Sequence, residues 1–60
     1  MELLDKDEFC HFFGDIHPST AYRKIKQGIL PKQVKIGGSS RWLLRECEAA
    51  LQAMVDGRVR

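Results

Sequence analysis

From His17 to Arg45 the sequence contains no aspartate and no glutamate, the largest absence in this chain of 60 residues. The gap excludes ion pairing within the stretch and leaves Arg23, Lys24, Lys26, Lys32, Lys35, Arg41 and Arg45 at a balance of +7, against −4 for residues 1–16 and −1 for residues 46–60. A field of one sign attracts a polyanion, the plainer alternative being a solvated basic surface. Cysteine is scarce as well: Cys10 and Cys47 form no CxxC pair, and Cys10, His11 and His17 fit no common zinc spacing, so neither metal nor cofactor is expected. No apolar segment opens the chain as an export signal would, and no run approaches the ~18 apolar residues of a membrane span. The expectation is a cytoplasmic protein with reduced thiols packed as small apolar groups and no membrane partner. Core material is also short, because a chain of this length buries only ~60% of the surface its unfolded form exposes. Few residues remain to wall a catalytic cleft, so the chain is not expected to be an enzyme. Glu46 and Glu48 stand two apart on a helix and diverge, there is no Ser–His–Asp set, and Gly37-Gly38 is a turn rather than a phosphate loop.

What is present falls into short elements of a single domain, without repeats or linkers. Asp5 followed by Glu8 has capping-box spacing and predicts a helix over about 6–13, with Phe9, Phe12 and Phe13 on one stripe and Gly14 ending it in a left-handed conformation. Leu3 and Leu4 are placed to staple onto that stripe. A second helix is predicted over 18–27, with His17 as N-cap, Pro18 at the first position, Ala21 and Ile25 inward, and Gly28 then Pro31 closing it. Two short helices with so tight a link read as a helix-turn-helix. A hairpin is predicted over 33–43, its turn built on Gly37-Gly38-Ser39. A third helix over 44–55 puts Leu44, Cys47, Leu51 and Met54 on one stripe, with Gly57 as terminator and no good N-cap residue before it. The fold class expected is mostly α with a small β-hairpin: a three-helix winged helix-turn-helix.

With Ala21 at the origin of the second helix, Ile25 falls at about 40°, Tyr22 at about 100°, and Lys26, Ser19 and Arg23 at about 140°, 160° and 200°. The outward face then offers a guanidinium able to read guanine bidentately, an ammonium for phosphate, and Ser19 and Thr20 hydroxyls near a helix N-terminus. Lys35, Ser39, Ser40 and Arg41 gather around the glycine turn, where small residues permit close approach to a sugar-phosphate backbone. Trp42 is expected in the core.

The order of these pieces resembles the AlpA family of prophage regulators and, more distantly, excisionases and the DNA-binding head of MerR-type regulators. The residues carrying the resemblance are Ser19-Thr20-Ala21-Tyr22-Arg23, Ile25-Lys26-Gln27-Gly28-Ile29-Leu30-Pro31-Lys32, Lys35-Ile36-Gly37-Gly38, Arg41-Trp42 and Glu46-Cys47-Glu48-Ala49-Ala50-Leu51, and the resemblance as a whole covers about residues 4–53. His17-Pro18 stands where the family has a Ser-led helix start, and Leu43-Leu44 where polar residues follow the Trp. The resemblance implies a bacterial or phage-encoded, sequence-specific DNA-binding transcriptional regulator or recombination directionality factor (excisionase) of a prophage or integrated element. It implies that the second helix enters the major groove through Ser19, Thr20, Tyr22, Arg23 and Lys26, and that the wing from Lys35 through Ser39 and Ser40 to Arg41 grips the adjacent backbone or minor groove. The partners implied are double-stranded DNA, an integrase or RNA polymerase, and further copies of the chain on DNA. The competing reading is a protein–protein interaction module without nucleic-acid function, built on the acidic first segment and the Leu43-Leu44 pair.

Overall fold

Asp5 begins helix α1 (Lys6–Phe12): its side chain accepts from the Glu8 N–H at 2.8 Å while Glu8 Oε1 accepts from the Asp5 N–H at 3.0 Å, a complete capping box. Gly14 (φ +93°) and Asp15 (φ +59°) then turn the chain in left-handed conformations. Helix α2 (Pro18–Lys26) starts on His17, whose Nδ1 accepts from the Ser19 N–H at 3.2 Å, with proline in the first turn where no N–H is needed. It ends in a Schellman arrangement. Gly28 (φ +81°) donates to Ile25 O at 3.0 Å and Ile29 donates to Lys24 O at 2.9 Å, satisfying carbonyls that the helix end would leave open.

The computed structural model describes residues 2–59; the side chains of Arg58 and Arg60, counted in the charge balance, lie outside the described set. Beyond α2 come strands β1 (Leu3–Leu4, before α1), β2 (Val34–Ile36) and β3 (Ser39–Leu43), then helix α3 (Leu44–Val59). The described residues thus form three helices and a three-stranded antiparallel sheet of order β1-β3-β2. No helix among the described residues is long and apolar enough to cross a membrane.

Several features differ from the sequence expectation, each for a physical reason. Leu3 and Leu4 form a strand rather than a simple staple, pairing with Leu43 and Trp42, so the sheet has a third member. Leu4 still packs against the core, as a staple would. The hairpin turn has two residues: Ile36 pairs with Ser39, and Gly37 (φ +58°) and Gly38 (φ +83°) supply the two positive angles of a type I′ turn, so Ser39 belongs to the strand. No capping residue precedes the third helix; its first N–H, that of Leu44, donates to Glu2 O at 2.9 Å, extending the β1–β3 ladder. Gly57 does not terminate that helix; it has no left-handed conformation, and α3 passes through it. Helices α1 and α2 each end one residue before the expected limit, Phe13 and Gln27 serving as C-caps.

The core is Phe9, Cys10, Ala21, Ile25, Leu30, Trp42 and Cys47, and it contains no polar or charged residue among those described. Trp42 anchors it: Phe9 stacks on the indole with centroids 4.2 Å apart and planes 10° from parallel, while Phe13 meets Phe9 edge-on at 5.2 Å. Each such aromatic pair contributes about 0.5–1.5 kcal/mol beyond its buried area. The indole Nε1 is buried without a hydrogen-bond partner among the described residues, so the tryptophan stands there for its volume and not for its polar atom. On α3, Cys47 is fully buried and Met54 half-buried, but Leu51 is 37% exposed, so the expected stripe divides and only part of it reaches the core.

Candidate functional site

Ala21 and Ile25 are 2% and 8% exposed, which fixes the inward side of α2 and with it the opposite one. Ser19, Tyr22, Arg23 and Lys26 are exposed, and at 3.6 residues per turn they occupy one continuous arc of about 100°. Thr20 is half-buried and falls with half-buried Lys24 on the other shoulder, away from this arc. Ser19 is partly engaged already: its hydroxyl lies 2.8 Å from His17 Nδ1, leaving its oxygen lone pairs free. Tyr22 leans toward the sheet, its ring 6.4 Å from that of Trp42.

The hairpin distributes its residues differently. Cross-strand partners share a face, so Lys35 and Ser40 lie on the face of Trp42, while Ser39 and Arg41 lie on the opposite face with Val34 and Ile36. Adjacency in the sequence therefore separates Lys35 from Arg41. The guanidinium nevertheless returns. In a two-residue hairpin the pair next to the turn exchanges hydrogen bonds and the following pair, Lys35–Ser40, does not, which leaves Ser40's backbone groups on the β1-side edge of β3, past the end of that short strand. Arg41 Nη1 donates to Ser40 O at 2.9 Å, folding the side chain around that edge.

Tyr22, Ser39, Ser40 and Arg41 consequently line one shallow cleft between α2 and the hairpin, and Asp5, Lys6 and Asp7 form its far rim. The carboxylates of Asp5 and Asp7 are the residues that sequence reading did not associate with this site. Asp5 was legible only as a cap, and no local pattern says that the start of α1 abuts the β1-side edge of β3.

Among the described residues the one ion pair is His11–Asp15, with Nδ1 donating to Oδ1 at 2.6 Å, and this hydrogen bond, with the carboxylate charge, raises the His11 pKa. No lysine or arginine of α2 or the hairpin is engaged with a carboxylate among the described residues. The seven cations do not form a single edge, however. Lys24 lines a second cleft with Phe13, Ile16, Ile29, Leu30 and Met54, and Arg45 lies beside Glu2 and Glu48 at the start of α3. Arg23, Lys26, Lys32 and Lys35 are exposed and Arg41 is half-buried, and none of the five pairs with a carboxylate among the described residues.

The thiols are poor nucleophiles, since burial pushes Cys47 up to about 11 and raises Cys10 as well. Among the described residues no three side chains of His, Cys, Asp or Glu gather as metal ligands would. The arrangement holds uncommitted positive charge, hydroxyls and one phenol on an open surface. Compared with known proteins, the chain matches no family model, no curated protein and no solved structure.

Proposed function

We propose that this protein is a sequence-specific reader of double-stranded DNA, a winged helix-turn-helix regulator or recombination directionality factor of a prophage or integrated element, and not an enzyme. In this reading α2 enters the major groove with Arg23 and Lys26 foremost, and the hairpin acts as the wing on the neighbouring backbone. Tyr22 sits where helix and wing meet and touches sugar or a thymine methyl. The observation that carries the reading is the uncommitted cationic arc of α2, in a stretch of chain with no carboxylate of its own, beside a cleft that Arg41 shares with Asp5 and Asp7 from the start of α1. The resemblance of residues 19–51 to the AlpA and excisionase pattern points the same way. Because a module this small covers little DNA, stable occupancy comes from several copies or from a protein partner such as an integrase or RNA polymerase.

The test is a binding isotherm on a duplex selected from a randomised pool, measured by fluorescence anisotropy as salt is raised. If four or five of the available cations meet phosphate, the log–log slope is about −3.5 to −4.5. The double reversal Arg23→Glu with Lys26→Glu abolishes binding while leaving the fold intact, because both residues are exposed. A flat salt response, or a double variant that binds as well as the parent, overturns the reading in favour of a protein-interaction module. Bend angle and stoichiometry on an attachment-site duplex then separate an excision factor from a transcriptional regulator.

A further inference from the structure

The second cleft has no part in the reading above. It opens where the turn after α1, the end of α2 and the second half of α3 converge, and it is lined by Phe13, Ile16, Ile29, Leu30, Met54 and Lys24. Its volume is about 90 Å³. An enclosed apolar cavity of ~150 Å³ holds a benzene molecule, so this open cleft has room for about one aliphatic side chain. Its floor is already formed: Lys24 O accepts from both the Ile29 and Leu30 N–H groups, at 2.9 and 3.3 Å, and Leu30 is 4% exposed. Ile29, at the position just past the helix-ending glycine, is nevertheless 45% exposed, a large apolar side chain that the fold does not cover. Lys24 is the single charged residue of the lining, half-buried, and without a carboxylate partner among the described residues.

We infer that this cleft receives one aliphatic side chain from a partner protein's short helix, with a carboxylate one turn away on that helix pairing with Lys24. The charge at the rim selects the partner: a basic segment is repelled and a neutral one gains only the apolar contact. Location adds a consequence. Lys24 falls on the shoulder of α2 opposite Tyr22, about 100° from Arg23 and farther from Lys26, so the cleft stays open when the outward arc is covered. The inference stands independently of what that arc binds, and its test contains no DNA.

The probe is a capped helical peptide of about 15 residues, with leucines at i, i+3 and i+7 and glutamates flanking them, titrated into the isotopically labelled protein while amide and methyl resonances are followed. The expected result is a set of shifts confined to Phe13, Ile16, Lys24, Ile29 and Met54, with a dissociation constant of about 0.1–1 mM. Lys24→Glu weakens the glutamate peptide about fivefold and strengthens its lysine counterpart by a similar factor. Ile29→Ser, a change at an exposed position, weakens both peptides alike. Three outcomes overturn the inference: no shifts at saturating peptide, shifts on Arg23, Lys26 and the hairpin in place of the cleft, or cleft shifts that grow with protein concentration alone, which assign the surface to a second copy of this chain.

Discussion

Helix α2 and the hairpin carry similar side chains, yet they present them in opposite ways. On α2, residues three and four apart converge, so Ser19, Tyr22, Arg23 and Lys26 share an exposed arc although buried residues intervene. On the hairpin, neighbours diverge, and Lys35 and Ser40 part from Ser39 and Arg41 across the two faces of the sheet. Arg41 rejoins the helix side only because its long side chain wraps the edge of β3 to reach Ser40 O. The contrast teaches that a cluster of bases in a sequence is a cluster in space on a helix, but on a strand only if reach or an edge restores it.

The largest way to break the comparison is to remove what the two regions share. Trp42 belongs to β3, stacks on Phe9 and lies under Tyr22. Trp42→Ala costs about 3–5 kcal/mol, enough to unfold so small a domain, whereas Trp42→Phe keeps most of the apolar volume and removes a buried N–H that has no partner. Thermal denaturation followed by circular dichroism should show a lost transition for the first and a retained one for the second. Equal midpoints for the two variants would mean that helix and hairpin do not depend on this residue.

Next in size is the division of labour in binding. Arg23→Ala should cost about 1–3 kcal/mol on the preferred duplex and relax its base preference at one position. Lys35→Ala and Arg41→Ala should each weaken all duplexes evenly, by under about 1 kcal/mol, and make the salt slope shallower by roughly one. Competition against a scrambled duplex distinguishes the two patterns. If Arg41→Ala changed base preference and Arg23→Ala did not, the roles of helix and wing would be exchanged.

How much of this was legible beforehand follows from the range of each signal. The capping box at Asp5, the proline at the start of α2, Gly28 and the glycine pair in the hairpin are local devices, and residues within a few positions decide them. Strand β1 is two residues long, and what makes it a strand is Trp42 and Leu43 far along the chain. Nothing near Leu3 announces that partner. Gly57 misled for the converse reason. A glycine costs a helix about 1 kcal/mol but ends it only where a turn competes, and none does here. The outward arc of α2 followed from periodicity, while the meeting of Asp5 and Asp7 with Arg41 in one cleft needed the tertiary fold. Lys24 and Thr20 illustrate a finer point: both are polar residues on the right helix, and half-buried on the wrong side of it.

The smallest expected effect concerns the turn that aims α2. Because Asp15 raises the pKa of His11 in the folded chain, protonation stabilises the fold, fully so below the ordinary histidine value of ~6.5. That contribution disappears as pH rises through the raised value. Denaturation midpoints of the parent should therefore exceed those of His11→Gln below about pH 6.5 and converge with them as pH is raised above the elevated His11 value. Curves that stay parallel across this window would show that the exposed pair contributes nothing.

The hydrogen bond from Leu44 to Glu2, together with the Leu4–Trp42 pairing, works as a clasp joining regions about 40 residues apart. Closing a loop of that length costs roughly 3 kcal/mol of chain entropy, far more than closing the glycine turn. Opening the clasp would cost α3 its backbone link to β1, while fully buried Cys47 and half-buried Met54 would keep the helix seated on the core.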